Sequence, residues 1–158
     1  MNLNNMKEYE YSMVVDSLNK YIDYCENNNY ELRDKIFQTR TIYRKDNNTI
    51  ARITINKMGN KEQKYLDFKE DKLSVGPLIE RRESGALEFE IIKDAESILN
   101  FLEYKKDITL IRNRLVYYKD DVTFELDEYI EPNNNFVVSV EGNKEKADIV
   151  WNIISKLW

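Results

Sequence analysis

Charged side chains recur at every second position in the last third of this chain. Arg112 and Arg114 stand in phase, then Glu125 and Asp127, then Ser139 and Glu141. Their neighbours Phe124, Leu126, Val138 and Val140 are apolar. Side chains on a strand alternate between faces, so each segment has one charged face and one greasy face. The start of the chain does the same, with Glu8, Glu10 and Ser12 in phase and Tyr9, Tyr11 and Met13 opposite. Rows of arginine and glutamate from distant strands, gathered inside one barrel, would suit an anionic phosphate chain and the cation it carries. Guanidinium groups fork onto phosphate oxygens, and carboxylates hold hard cations.

The elements that would position these residues are legible as periodicities. Strands are predicted at 7–15, 35–45, 49–57, 63–69, 78–83, 86–93, 107–119, 121–130 and 136–142. Turn signals separate several of them: Asp46-Asn47-Asn48, Met58-Gly59-Asn60, Lys119-Asp120-Asp121 and Pro132 through Asn135. A helix over 16–28 carries Leu18, Tyr21, Ile22 and Cys25 at helical spacing, with Asp16 or Ser17 as its N-cap. A second helix over 95–104 is capped by Asp94, with Ala95, Ile98, Leu99 and Leu102 on its stripe. A third over 144–157 presents Ala147, Val150, Trp151, Ile154 and Leu157. Strand runs dominate and are not paired one-to-one with helices, so the sheet should be antiparallel. Closing it into a barrel would remove its edges. The predicted class is α+β: an eight-stranded antiparallel barrel with about three flanking helices.

Composition sets limits. The chain of 158 residues suggests one domain and contains 4 Gly and 2 Pro, too few for a long flexible linker. Net charge is −5, which argues against non-specific binding to DNA or to an anionic membrane. No apolar run approaches a membrane span, and no signal peptide is evident. A single cysteine, Cys25, excludes an intrachain disulfide and fits a cytoplasmic setting; on its helix face it reads as a small buried hydrophobe. Histidine is absent, which removes Ser-His-Asp and Cys-His nucleophile systems and imidazole metal sites. Any metal must rest on carboxylates, carbonyls and water, which points to Mg²⁺ or Mn²⁺.

The order of elements and charges resembles the CYTH domain, the triphosphate tunnel metalloenzyme superfamily, over nearly the whole chain. The family opens with Glu-x-Glu-x-Lys, and Glu8-Tyr9-Glu10-Tyr11-Ser12 supplies both acids with serine in place of lysine. Arg52 stands in the Arg-x-Arg strand, Lys69 on the strand after it, and Arg81 or Arg82 in the next basic segment. Arg112-Asn113-Arg114 with Tyr117 matches the family's Lys-x-Arg and aromatic, and the strand from Val122 ends in Asp127 as the family's does. The closing Glu-x-Glu is represented by Ser139-Val140-Glu141, which keeps the second acid.

The resemblance implies metal-dependent hydrolysis of a triphosphate: inorganic tripolyphosphate, a nucleoside triphosphate or an RNA 5′-triphosphate. Arg52, Lys69, Arg82, Arg112 and Arg114 would bind the phosphates. Glu8, Glu10, Glu141 and Asp127 would hold the metal, with Glu10 and Glu141 catalytic. Ser12 and Ser139 motivate one alternative, a tunnel that binds a nucleotide or polyphosphate without turnover; the resemblance also admits an adenylyl cyclase of the same superfamily. A homodimer is compatible with apolar outer faces. Taken alone, Glu8 and Glu10, or Arg112 and Arg114, read more readily as a solvated strand face. Asp127 reads as a metal ligand or as an arginine's structural partner, and Asp67 and Asp71 read as surface residues.

Overall fold

The computed structural model describes residues 7–46, 48–71 and 77–157, without the side chains of residues 7, 8 and 80. The chain forms β1 (Lys7–Val15), α1 (Asn19–Asn27), β2 (Glu31–Arg44), β3 (Thr49–Met58), β4 (Lys61–Glu70), β5 (Leu78–Arg82) and β6 (Leu87–Glu88). Then follow α2 (Ile92–Phe101), β7 (Lys105–Lys119), β8 (Val122–Glu131), β9 (Asn135–Gly142) and α3 (Lys144–Ile154). The nine strands form one sheet in the order β5-β1-β9-β8-β7-β2-β3-β4-β6, with every pairing antiparallel. The expected α+β architecture is therefore present, with nine strands where eight were expected. No continuous ladder closes the sheet. Its two ends meet at one antiparallel bridge, Lys69 opposite Glu83, beside which the Ser84 N–H donates to the Phe68 carbonyl at 2.9 Å.

Several element boundaries differ from expectation, among them the start of β2, which lies at Glu31 rather than residue 35. The strand read over 86–93 shrinks to Leu87–Glu88, because α2 begins at Ile92. Asp94 therefore sits in the first turn, where its charge favours the helix N-terminus, and Ile91 occupies the cap position. Helix α1 starts at Asn19 with Leu18 at its cap, and Ser17 Oγ accepts from the Asn19 N–H at 3.2 Å. Helix α3 has a side-chain cap, Asn143, which accepts from the Lys146 N–H. Lys119 to Val122 turns through two left-handed residues, Asp120 and Asp121, matching a tight hairpin between right-twisted strands.

Hydrophobic residues lie on the outside of the curled sheet, beneath the helices. Phe124, Leu126, Val138 and Val140 are fully buried with Tyr21, Cys25, Ala147, Trp151 and Ile154 under α1 and α3. A second cluster sets Tyr43, Ala51, Ile53 and Leu66 against Ala95 and Leu99 of α2. Tyr11 on β1 stacks on Trp151 at 5.0 Å between ring centroids and donates its hydroxyl to Asp148 of α3. With the apolar face committed to the helices, strand alternation turns the charged face inward.

Candidate functional site

The inner face encloses a cavity of about 420 Å³. Each strand delivers its alternate residues: Glu10 and Ser12 from β1, Arg40 from β2, Arg52 from β3, Lys69 from β4, and Arg81 from β5. β7 adds Arg112 and Arg114, β8 adds Glu125 and Asp127, and β9 adds Ser139 and Glu141. The expected meeting of distant basic and acidic rows in one lumen is thus what the fold builds.

Antiparallel register sets Glu10 opposite Glu141 and Ser12 opposite Ser139, whose hydroxyls lie 3.2 Å apart. The two positions that depart from the family pattern therefore face each other as one neutral pair. Glu125 completes an acidic group, with one oxygen each of Glu10, Glu125 and Glu141 lying within 4.8 Å of one another. All three are half-buried. Three converging carboxylates form an oxygen donor set that could hold a metal ion, and Glu125 also pairs with Arg114.

Asp127, expected among the metal ligands, does not join that group. It is 1% exposed and accepts from Arg114 at 2.7 and 2.8 Å and from Arg112 at 3.2 Å. Glu125, in phase two residues earlier, takes the place beside Glu10 and Glu141. The Glu8 side chain lies outside the described residues, although its backbone stands on β1 opposite Arg81. Arg82 lies outside the cavity, exposed and paired with Glu70, and its neighbour Arg81 supplies the inward cation. Asp67 is no surface residue: it is 4% exposed and clamps Arg52, whose Nε donates to it at 2.8 Å. Asp71 lines the cavity mouth and pairs with Arg44.

The basic groups differ in how fully they are neutralised. Burial lowers the Arg52 guanidinium, but hydrogen bonds and attraction to Asp67, with help from Glu83, outweigh it and hold Arg52 above its ordinary range. Burial also lowers Arg114, and Asp127 reverses that effect. Lys69 is buried, with Nζ 3.3 Å from Glu83. Arg112 falls below its ordinary range through burial and then through Arg114. Its Nη2 is buried with no hydrogen-bond partner among the described residues.

Sequence reasoning missed Glu125 among the candidate metal ligands, and it missed the lumen residue Arg40. Its Nε donates to Thr54 Oγ1 at 3.0 Å, and no carboxylate among the described residues pairs with it. Burial, and then repulsion from Arg52, Arg112 and Arg114, push it down to about 9. The signal was present in the sequence, because Gln38, Arg40, Ile42 and Arg44 share one phase of β2. An unneutralised guanidinium among three others marks a place for an anion.

No protein-family model matches the chain, and no curated protein does. Solved structures do match it. The PH1012 protein from Pyrococcus horikoshii OT3 is 20% identical, with 95% of this chain and 89% of that one covered at a TM-score of 0.74. A proposed adenylate cyclase from Vibrio parahaemolyticus is 11% identical, with 95% and 83% covered at a TM-score of 0.63. A chain of the Schizosaccharomyces pombe Mediator head module is 13% identical, with 96% and 94% covered at a TM-score of 0.67. What they share with this chain is the fold. The likeness supports the antiparallel α+β fold, and that fold serves proteins of very different names. Among the described residues no helix is long and apolar enough to cross a membrane.

Proposed function

We propose that this protein binds a triphosphate-bearing molecule with Mg²⁺ or Mn²⁺ in its lumen and hydrolyses a phosphoanhydride bond. One observation carries the reading. Three carboxylates converge in the same cavity as Arg40, a guanidinium with no carboxylate partner among the described residues. A fully basic pocket would bind an anion without metal, and a fully neutralised one would bind neither. The combination fits an anion that arrives with its cation.

Glu10, Glu125 and Glu141 would hold the metal. Bound there, it would offset the charge between the carboxylates and the phosphate oxygens and act as a Lewis acid. Arg40, Arg52, Arg81, Arg114 and Lys69 would hold the phosphate chain from several sides and stabilise charge on its equatorial oxygens. Phosphoryl transfer depends mainly on such positioning and charge stabilisation. With no histidine in the chain, the proton of the attacking water falls to a carboxylate, Glu10 or Glu141.

A second reading has its own support. A neighbouring cavity of about 470 Å³ shares Ser12, Leu110, Tyr129 and Val137 with the lumen and adds Val14, Pro132 and Asn133. Apolar walls with an amide at the rim suit a nucleobase, and the fold likeness includes a proposed adenylate cyclase. Product analysis separates the readings. The protein is incubated with tripolyphosphate, ATP or 5′-triphosphorylated RNA plus Mg²⁺ or Mn²⁺, and products are resolved by anion-exchange chromatography. Hydrolysis predicts orthophosphate or pyrophosphate with a linear nucleotide. Cyclic AMP with pyrophosphate from ATP would replace it with the cyclase reading. Intact ligands throughout would leave a binder without turnover.

A further inference from the structure

Arg112 reaches across the lumen wall through a hydrogen-bonded chain. Its Nε donates to Gln38 Oε1 at 2.7 Å, Gln38 Nε2 donates to Asn56 Oδ1 at 2.9 Å, and Asn56 Nδ2 donates to the Tyr65 hydroxyl at 3.2 Å. On its other side Nη1 donates to the Tyr129 hydroxyl, and the guanidinium lies 5.2 Å from that ring's centroid. Tyr129, Arg112, Gln38, Asn56 and Tyr65 thus run over five neighbouring strands, β8, β7, β2, β3 and β4.

Arginine has donors and no acceptor, which fixes the direction of every link. Gln38 must turn its oxygen to Arg112, because the flipped amide would oppose two N–H groups. Its amide nitrogen then needs an acceptor, which Asn56 supplies through Oδ1. Asn56 is left to donate, so the Tyr65 oxygen accepts. The Tyr129 oxygen accepts directly from Arg112. Each phenol has therefore used its oxygen toward the wall. Neither O–H has an acceptor among the described residues, and both tyrosines line the cavity. Gln38 and Asn56 are 1% and 5% exposed, so bulk water does not compete for the middle of the chain. Register places Tyr65 in the same row as Thr54 and Arg40, which sets one of these hydroxyls beside the unneutralised guanidinium.

We infer that Tyr65 and Tyr129 are ligand-binding residues that donate their hydroxyl protons to phosphoryl oxygens, and that Arg112 acts mainly as the positioning residue that orients both. The inference rests on the reading of the lumen as a phosphate site and adds two neutral donors to it. They satisfy acceptor oxygens without adding to the repulsion among Arg40, Arg52, Arg112 and Arg114. A hydrogen bond from a neutral phenol is also less sensitive to salt than an ion pair.

Calorimetric titration of the whole chain with Mg²⁺ and imidotriphosphate, a tripolyphosphate analogue whose P–N–P bridges resist hydrolysis, tests this. Tyr65→Phe and Tyr129→Phe keep the rings and remove only the hydroxyls. Each is expected to weaken binding about tenfold, the scale of one hydrogen bond to a charged group. The slope of log affinity against log salt should stay at the wild-type value, while the melting temperature without ligand should fall by a few degrees, because each variant leaves a buried donor of Asn56 or Arg112 without its acceptor. Wild-type affinity in both variants overturns the inference and leaves the proposed function standing. Weaker binding with a shallower salt slope also overturns it, because the arginines would then have been disturbed. A wild type that fails to bind the Mg²⁺–imidotriphosphate complex overturns the inference together with the phosphate-site reading.

Discussion

Burial and three neighbouring guanidiniums lower the proton affinity of Arg40 in the folded chain. Unfolding restores its ordinary value, so above the folded value the unfolded chain binds more protons. The penalty on folding is therefore complete at neutral pH and eases as pH rises through about 9. Arg40→Met removes it. The variant should melt higher than wild type without ligand, by on the order of 1–2 kcal/mol or a few degrees. It should also lose most of the stabilisation that tripolyphosphate gives, and thermal scans with and without tripolyphosphate check both. The in-phase acids of β8 separate in the same way. Glu125→Gln should raise the Mn²⁺ concentration needed for half-maximal activity and, because Glu125 also pairs with Arg114, should cost about 1–2 kcal/mol in urea unfolding. Asp127→Asn leaves Arg112 and Arg114 without their shared buried partner and should cost roughly 3–5 kcal/mol in the same unfolding experiment.

Strand alternation made much of the lumen legible. The phases of Glu10, Arg112, Arg114 and Glu141 were enough to put each on a charged face, whereas Arg52 and Lys69 were reached only through the family resemblance. Where two candidates were neighbours or shared a phase, sequence ran out. Arg81 and Arg82 are adjacent, and only the register with β1, which sets Arg81 opposite Glu8, selects the inward one. Glu125 and Asp127 share a face and both pair with Arg114, and only the gathering of Glu125 with Glu10 and Glu141 within 4.8 Å tells ligand candidate from counter-ion. The start of α2 was misplaced because Asp94 is a good cap by type and an equally good first-turn residue. The hairpin elements bring one test of their own. At Gly142, with φ +129°, an added Cβ would lie 2.1 Å from the Asp121 carbonyl oxygen. Gly142→Ala should cost roughly 2–4 kcal/mol by denaturant unfolding, since the obstacle is backbone that cannot rotate away.

At the scale of the whole molecule, the sheet is turned inside out relative to an ordinary sandwich. Its grease faces outward under three helices and its charge faces inward around water-accessible space. That arrangement holds only if the two ends of the sheet stay together, and Glu83 ties them, through its bridge to Lys69 and its ion pairs with Lys69 and Arg52. Glu83→Ala should speed amide exchange in β5 and β4 while leaving β8 and β9 protected, as mapped by hydrogen–deuterium exchange. Loss of protection throughout the sheet would contradict a seam confined to one bridge.

The claim on which the rest depends is that the acidic trio and the arginine row work on one ligand. Phosphate release from tripolyphosphate with Mg²⁺ and then Mn²⁺, in wild type and in Glu10→Gln, tests it most directly. The account predicts metal-dependent release by the wild type, abolished by EDTA and lowered at least about a hundredfold in Glu10→Gln, the scale of losing one group that stabilises the transition state. Release that persists in Glu10→Gln, or that needs no metal, would contradict it.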